Sequence, residues 1–255
     1  MARSHFTLAA LATAAVVDFD AVGARPFTTG LHGDFFAAVV TDASGRQLIV
    51  RVPNSAQAEA QLSSEKYALE TMTAGIRSRL PFDVPELVGR ATWNKTFGLV
   101  FEFLPGHPLS IAEIAANTSL ASSIGSGLAA VHSLPTNFVA DAGLPFFTAL
   151  EIQRQTRELV DRARDSKMLP AFLASRWNEA VSDDTLWMFE PTVIHGSLGA
   201  DSLLSGEDSV GGVLGWAALR VGDPAWDLHW LINAPIDTVG GAWLSRYSRG
   251  QESES

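Results

Sequence analysis

The chain has 255 residues, 47% of them hydrophobic, which is enough for one large domain or two lobes with a sizeable core and too apolar for a disordered protein. A formal net charge of -10 with no basic stripe argues against a nucleic-acid partner and suits a cationic ligand better. With no cysteine there is no disulfide framework, thiol nucleophile or zinc–thiolate site, and six scattered histidines argue against a metal cluster.

The apolar run Phe6 to Val17 follows Arg3 and is too short to span a bilayer. It predicts an N-terminal helix capped near Ser4 with Leu8, Leu11 and Ala15 on one face, although a short charged start before an apolar stretch is also how a signal peptide begins. From Phe27 to Pro53 the pattern turns to alternation. Phe35 to Thr41, a turn at Asp42 to Gly45, and Gln47 to Val52 read as a β-hairpin. Just before it, Gly30 and Gly33 either make a plain turn or let backbone approach a phosphate. Ala56 to Met72 is helical, Pro81 and Pro85 punctuate the following strands, and Gly98 to Gly106 reads as an apolar strand ended by a Pro-Gly turn.

Beyond Gly106, a helix from Leu120 to Leu134 carries Ile124, Leu128 and Val131 at helical spacing, with His132 read as packed. Phe146 to Ala163 and Leu169 to Val181 read as two more helices, whose aromatics Phe146, Phe147, Phe172 and Trp177 are assigned to the core. Thr192 to Ile194 is a strand, Trp216 is placed on another, and Gly222-Asp223-Pro224 introduces a closing helix from Ala225 to Asn233. Nothing repeats, and low complexity is confined to Gln251 to Ser255.

The most specific pattern is an ordered set: Arg51-Val52-Pro53 ending the second hairpin strand, His195-Gly196-Ser197-Leu198, Gly212-Val213-Leu214-Gly215-Trp216, and Gly222-Asp223-Pro224-Ala225-Trp226-Asp227-Leu228. It resembles the aminoglycoside and macrolide phosphotransferases over roughly residues 27 to 247. The resemblance implies an α+β, two-lobed protein-kinase-like fold, with a small sheet lobe over residues 1–106 and a mainly helical lobe over 107–255. It implies ATP or GTP as cofactor and a cytoplasmic protein with no membrane partner. Members usually continue through further helices over the acceptor pocket, so this chain is expected to be short at its C-terminus.

The same resemblance assigns roles. Arg51 stands where the nucleotide phosphates are contacted by a cation, paired with a helix carboxylate, Glu65 or its competitor Glu59. The backbone around Glu102, Phe103 and Leu104 would meet the nucleobase edge, and Arg51 and the loop from His195 to Ser202 are expected to face one cleft. The catalytic Asp, the metal-binding Asn or His, and the metal-binding Asp of the family fall here on Ser197, Ser202 and Gly215.

Phosphoryl transfer depends on positioning and charge neutralisation by a carboxylate base and metal ligands. A serine hydroxyl stays protonated at neutral pH unless another base activates it, and glycine has no side chain to offer. Magnesium prefers carboxylates, water and phosphate oxygens. His195, Asp223 and Asp227 retain structural work: a hydrogen bond to the loop backbone, orientation of the loop and the start of the last helix. Asp201, one residue before the missing ligand, is the one acidic residue in the loop and a candidate substitute if a shifted backbone presents it to magnesium or an acceptor hydroxyl. The expected function is a pseudokinase that binds a nucleotide or a small molecule, or a protein partner, with weak ATP or GTP binding and little use for magnesium. The alternative is an active antibiotic O-phosphotransferase working through non-standard residues.

Overall fold

The computed structural model describes residues 5–27, 34–93 and 96–232. The glycine pair at Gly30 and Gly33, Asn233 and the C-terminal tail lie outside them.

Helix α1 (His5–Ala15) is followed by strands β1 (Ala21–Pro26), β2 (Phe35–Asp42) and β3 (Gln47–Pro53), then α2 (Ala56–Thr71), α3 (Ala74–Arg77), β4 (Leu87–Trp93) and β5 (Thr96–Glu102). The strands form one antiparallel sheet in the order β1-β2-β3-β5-β4. Alternation along β3 decides which side chain faces which layer. Leu48, Val50 and Val52 join Val100 and the α1 residues Leu8, Leu11 and Ala12 in a core on one face. Ile49 and Arg51 point to the other face, with Phe101 of β5. Helix α2 begins at Ser55, whose hydroxyl accepts the Ala58 N–H (3.1 Å), and sets Leu62, Glu65 and Leu69 inward.

The remainder is mainly helical: α4 (Ile111–Ala116), α5 (Thr118–His132), α6 (Asn137–Asp141), α7 (Ala149–Asp165), α8 (Ala171–Ser182) and α9 (His229–Ile232), with short strands β6 (Thr192–Ile194), β7 (Leu203–Ser205), β8 (Val210–Val213) and β9 (Arg220–Gly222). β6 pairs with β9, and β7 with β8. One continuous apolar cluster runs from Leu62 and Leu69 of α2 through Leu120, Ile124 and Leu128 of α5 to Val193, Leu203, Val213 and Trp216. The loop after β6 is therefore built directly on the main core.

Several expectations are corrected. β1 was not foreseen, because Ala-Val-Gly-Ala-Arg-Pro is a half-exposed edge segment without alternation. Trp216 heads a 3-10 turn (Trp216–Ala218), not a strand, because β8 ends at Val213 and Gly215 takes a left-handed conformation (φ 85°) that extended pairing cannot continue. The closing helix begins as a 3-10 turn at Pro224–Asp227 before α9. Phe172 (70% exposed), Phe146 and Trp177 are surface residues, not core. Among the described residues no helix is long and apolar enough to cross a membrane.

Candidate active site

A cavity of about 230 Å³ lies under the sheet, walled by Ala37, Ile49 and Phe101, closed by Phe103 and Leu104, and floored by Leu204 and Leu214. Arg51 enters it from β3. Its Nη1 donates to Glu65 Oε2 of α2 at 2.6 Å, with both side chains almost fully buried. The guanidinium lies 4.5 Å from the Phe35 ring centroid, so the cation is held by a carboxylate on one side and an aromatic face on another. Glu59 is not the partner.

At the cavity's outer edge two of the three candidate backbone groups are already engaged. Glu102 N–H donates to Glu86 O (2.9 Å) and Phe103 N–H to Gln47 O (3.3 Å), both within the sheet. Among the described residues no hydrogen bond is made by Leu104 N–H, which is therefore free to donate into the cavity. The Glu102 side chain is paired with Arg46.

The loop after β6 is held by Asp227, which is fully buried. Its carboxylate accepts His195 N–H and Gly196 N–H, each at 2.7 Å, and His132 Nε2–H at 3.3 Å. Burial alone would raise the Asp227 pKa, but the His132 hydrogen bond, the nearby imidazoles and the Gly196 N–H outweigh it and hold the group below the ordinary carboxylate value. His195 is also buried, and desolvation pushes its pKa down, only partly opposed by Asp227 and the Leu214 carbonyl. The neutral ring donates through Nε2 to Leu214 O (2.9 Å), leaving Nδ1 to accept Ser197 N–H (3.4 Å). Trp216 packs edge-on against it at 4.6 Å and donates its own N–H to Val213 O.

The loop needs glycine at 196. Its φ is 84°, and an added Cβ would stand 2.3 Å from both Ala218 O and Arg220 Nη1. Trp226 Nε1–H donates to the Gly196 carbonyl at 2.8 Å.

Ser197, Ser202 and Gly215 do come together. Ser197 Oγ–H donates to Gly215 O at 3.2 Å, and Leu214 N–H donates to Ser202 O at 2.8 Å. These three positions supply two hydroxyls and no carboxylate, a donor set that does not fit magnesium. The Asp201 carboxylate is folded over its own loop, its Oδ1 2.8 Å from where a Cβ on Gly199 would stand. Loop residues His195 to Ser202 do not themselves line the Arg51 cavity. They reach it through its floor residue Leu214, whose carbonyl and N–H bond to His195 and Ser202.

The roles of two aspartates are exchanged relative to expectation. Asp223 caps the 3-10 turn through Ala225 N–H (2.9 Å), while Asp227 orients the loop. Asp227 lies 32 residues from its His195 partner, so no local pattern announced the contact; the only signal was its place in the Gly-Asp-Pro-Ala-Trp-Asp run.

A small antiparallel sheet over a mainly helical part, with a cation–carboxylate pair in the cleft between them, defines a kinase-like phosphotransferase fold. The model of the phosphotransferase enzyme family (APH) matches residues 23–254, and the chain belongs to that family. Its structure is similar to macrolide 2'-phosphotransferase MphH from Brachybacterium faecium (TM-score 0.79, 24% identity, 95% of this chain and 82% of that one). It is also similar to a type I macrolide 2'-phosphotransferase (TM-score 0.75, 23% identity, 99% and 83%) and to APH(2")-IIIa in complex with GDP and kanamycin (TM-score 0.74, 17% identity, 97% and 82%). An uncharacterized protein of Bacillus subtilis, YcbJ, is 22% identical over 200 residues, and the chain spans 65% of that relative's length.

Proposed function

We propose that this family member is a pseudokinase: it binds a purine nucleotide, ATP or GTP, weakly in the Arg51 cleft and transfers no phosphate. The observation that carries this reading is the direct contact between Ser197 and Gly215, where a base and a metal ligand would stand side by side and where a hydroxyl meets a backbone carbonyl instead. The cleft itself fits a nucleotide. Arg51, fixed by Glu65, meets phosphate oxygens; the base lies between the sheet residues Ile49 and Phe101 on one side and Leu204 and Leu214 on the other; Leu104 N–H takes its edge. We place the change from sheet lobe to helical lobe near Gly106. Solved relatives at 15–17% identity carry GDP or ATP in their complexes, which supports a nucleotide as ligand.

With no carboxylate to take a hydroxyl proton, the developing charge of a transferred phosphoryl group is left without its usual partners. Titration of ATP and GTP by calorimetry, with and without magnesium, tests this directly. The expected result is weak binding with about the same affinity in both conditions. A strong magnesium-dependent gain would restore the enzyme reading and direct attention to Asp201 or Asp223. Ser197→Asp and Gly215→Asp alone are expected to restore no turnover, since each lacks what the other supplies. Combined with Ser202→Asn they are expected to give slow ATP hydrolysis. Phosphorylation of a macrolide or aminoglycoside by the unmodified protein would overturn the proposal.

A further inference from the structure

A second cavity, about 580 Å³, lies on the far side of the loop between α7 and the segment from Ala217 to Asp223. Its walls are chiefly apolar and aromatic: Phe147, Ile152 and Leu159 on one side, Tyr67, Leu219 and Trp226 on the other. Among the described residues two charged side chains line it, Arg220 and Asp223. Arg220 spends one nitrogen, Nη1, on the carbonyls of Ala218 (3.0 Å) and Gly196 (3.5 Å). Among the described residues its Nε and Nη2 make no hydrogen bond and no carboxylate lies within ion-pair distance. Asp227 is near enough to be felt, but its oxygens are taken by His195, Gly196 and His132. The guanidinium rests 5.4 Å from the Trp226 ring centroid and is half-buried.

We propose that this cavity binds an organic carboxylate with a large apolar body, its carboxylate seated on the free Nε–Nη2 edge of Arg220. A half-buried cation without a counterion is costly, and a carboxylate matches the two-donor edge of a guanidinium. A polycationic sugar fits poorly: Asp223, the one lining carboxylate among the described residues, already accepts Ala225 N–H, and Arg220 would repel an ammonium group. The overall charge of -10, which favours cations at long range, is thus reversed inside this cavity. The site is separate from the Arg51 cleft and stands whether or not that cleft takes a nucleotide.

The probes are four naphthalene compounds of one shape, 2-naphthoate, 2-naphthylmethanol, 2-naphthylmethylamine and 2-naphthyl phosphate, titrated into the whole protein by calorimetry. Naphthoate is expected to bind about tenfold more tightly than the alcohol, the amine weakest. Arg220→Gln is expected to erase the difference between acid and alcohol, and Thr156→Trp, which places a large ring in the cavity from α7, to abolish binding of both. Saturating ADP is expected to change neither. Equal affinities, a preference for the amine or the phosphate, or displacement by ADP would overturn the proposal. Arg220 also holds the loop, so if Arg220→Gln does not fold, the ranking on the unmodified protein and the Thr156→Trp result decide alone.

Discussion

Arg51 and Glu65 meet at 2.6 Å with both side chains nearly out of solvent, whereas Ser197 and Gly215, 18 residues apart and in contact, bring only a hydroxyl and a carbonyl to the loop. Beneath that loop, Asp227 is a buried anion whose hydrogen bonds come from two backbone N–H groups and a histidine. Charge is thus present where it holds or receives something and missing where a proton would have to move. Framework and reactivity occupy different residues in this fold, so one can stand without the other.

The sharpest way to break that contrast is to remove the anion under the loop. Asp227→Ala is expected to lose about 3–5 kcal/mol of stability in chemical denaturation, because His195 N–H, Gly196 N–H and His132 are left buried without their acceptor. A loss under about 1 kcal/mol would mean that the loop does not depend on this carboxylate.

Gly196→Ala comes next, at about 1–3 kcal/mol, from the left-handed backbone together with the crowding of Ala218 O and Arg220. The Arg51–Glu65 pair separates binding from stability. Arg51→Met alone strands a buried carboxylate and is expected to lower both the melting temperature and nucleotide affinity. Arg51→Met with Glu65→Leu is expected to recover the melting temperature and not the affinity. Ser197→Ala is the smallest perturbation, within about 0.5 kcal/mol of wild type, since the half-open hydroxyl makes one long hydrogen bond.

Two of the buried titratable groups, His195 and Asp227, have shifted pKa values and contribute to the acid limb. His195 has a lowered pKa in the fold, so the unfolded chain binds its proton first and stability falls as pH drops below the ordinary histidine value of about 6.5. Asp227 is lowered too, so its contribution is present above about pH 4 and is lost as pH falls through its folded value. Melting temperatures from pH 7 to 5 are expected to decline less steeply in His195→Gln than in wild type. An unchanged slope would show that other groups carry that limb.

Much of this was legible in the chain because it is local. The β-hairpin announces itself by alternation, and α5 by Leu120, Ile124 and Leu128 on one stripe. Two helix starts carry local signals as well. Ser110 and Glu113 form a capping box that opens α4, and Thr148 and Glu151 another that starts α7 at Ala149, three residues after the expected Phe146. Phe146 instead bridges Val221, a contact 75 positions away that no helical stripe predicts. The exposure of Phe172 and Trp177 was hidden for a related reason: apolar spacing identifies a face, but what covers that face is set by distant elements. Asp227 needed the three-dimensional path of the chain, since the N–H groups of His195 and Gly196 that donate to its carboxylate lie at the strand-to-loop junction after β6.

The Asp227 clasp also divides the loop in time. The amides of His195 and Gly196, bonded to a buried carboxylate, and that of Leu214, bonded to Ser202 O, can exchange their hydrogens with solvent only when the core opens. One residue further on, the amide of Ser197, an exposed residue, reaches Nδ1 of His195 at 3.4 Å and needs only a local excursion. Deuterium uptake should therefore step sharply between residues 196 and 197, making the root of the loop among the slowest-breathing backbone in the protein and its tip among the fastest.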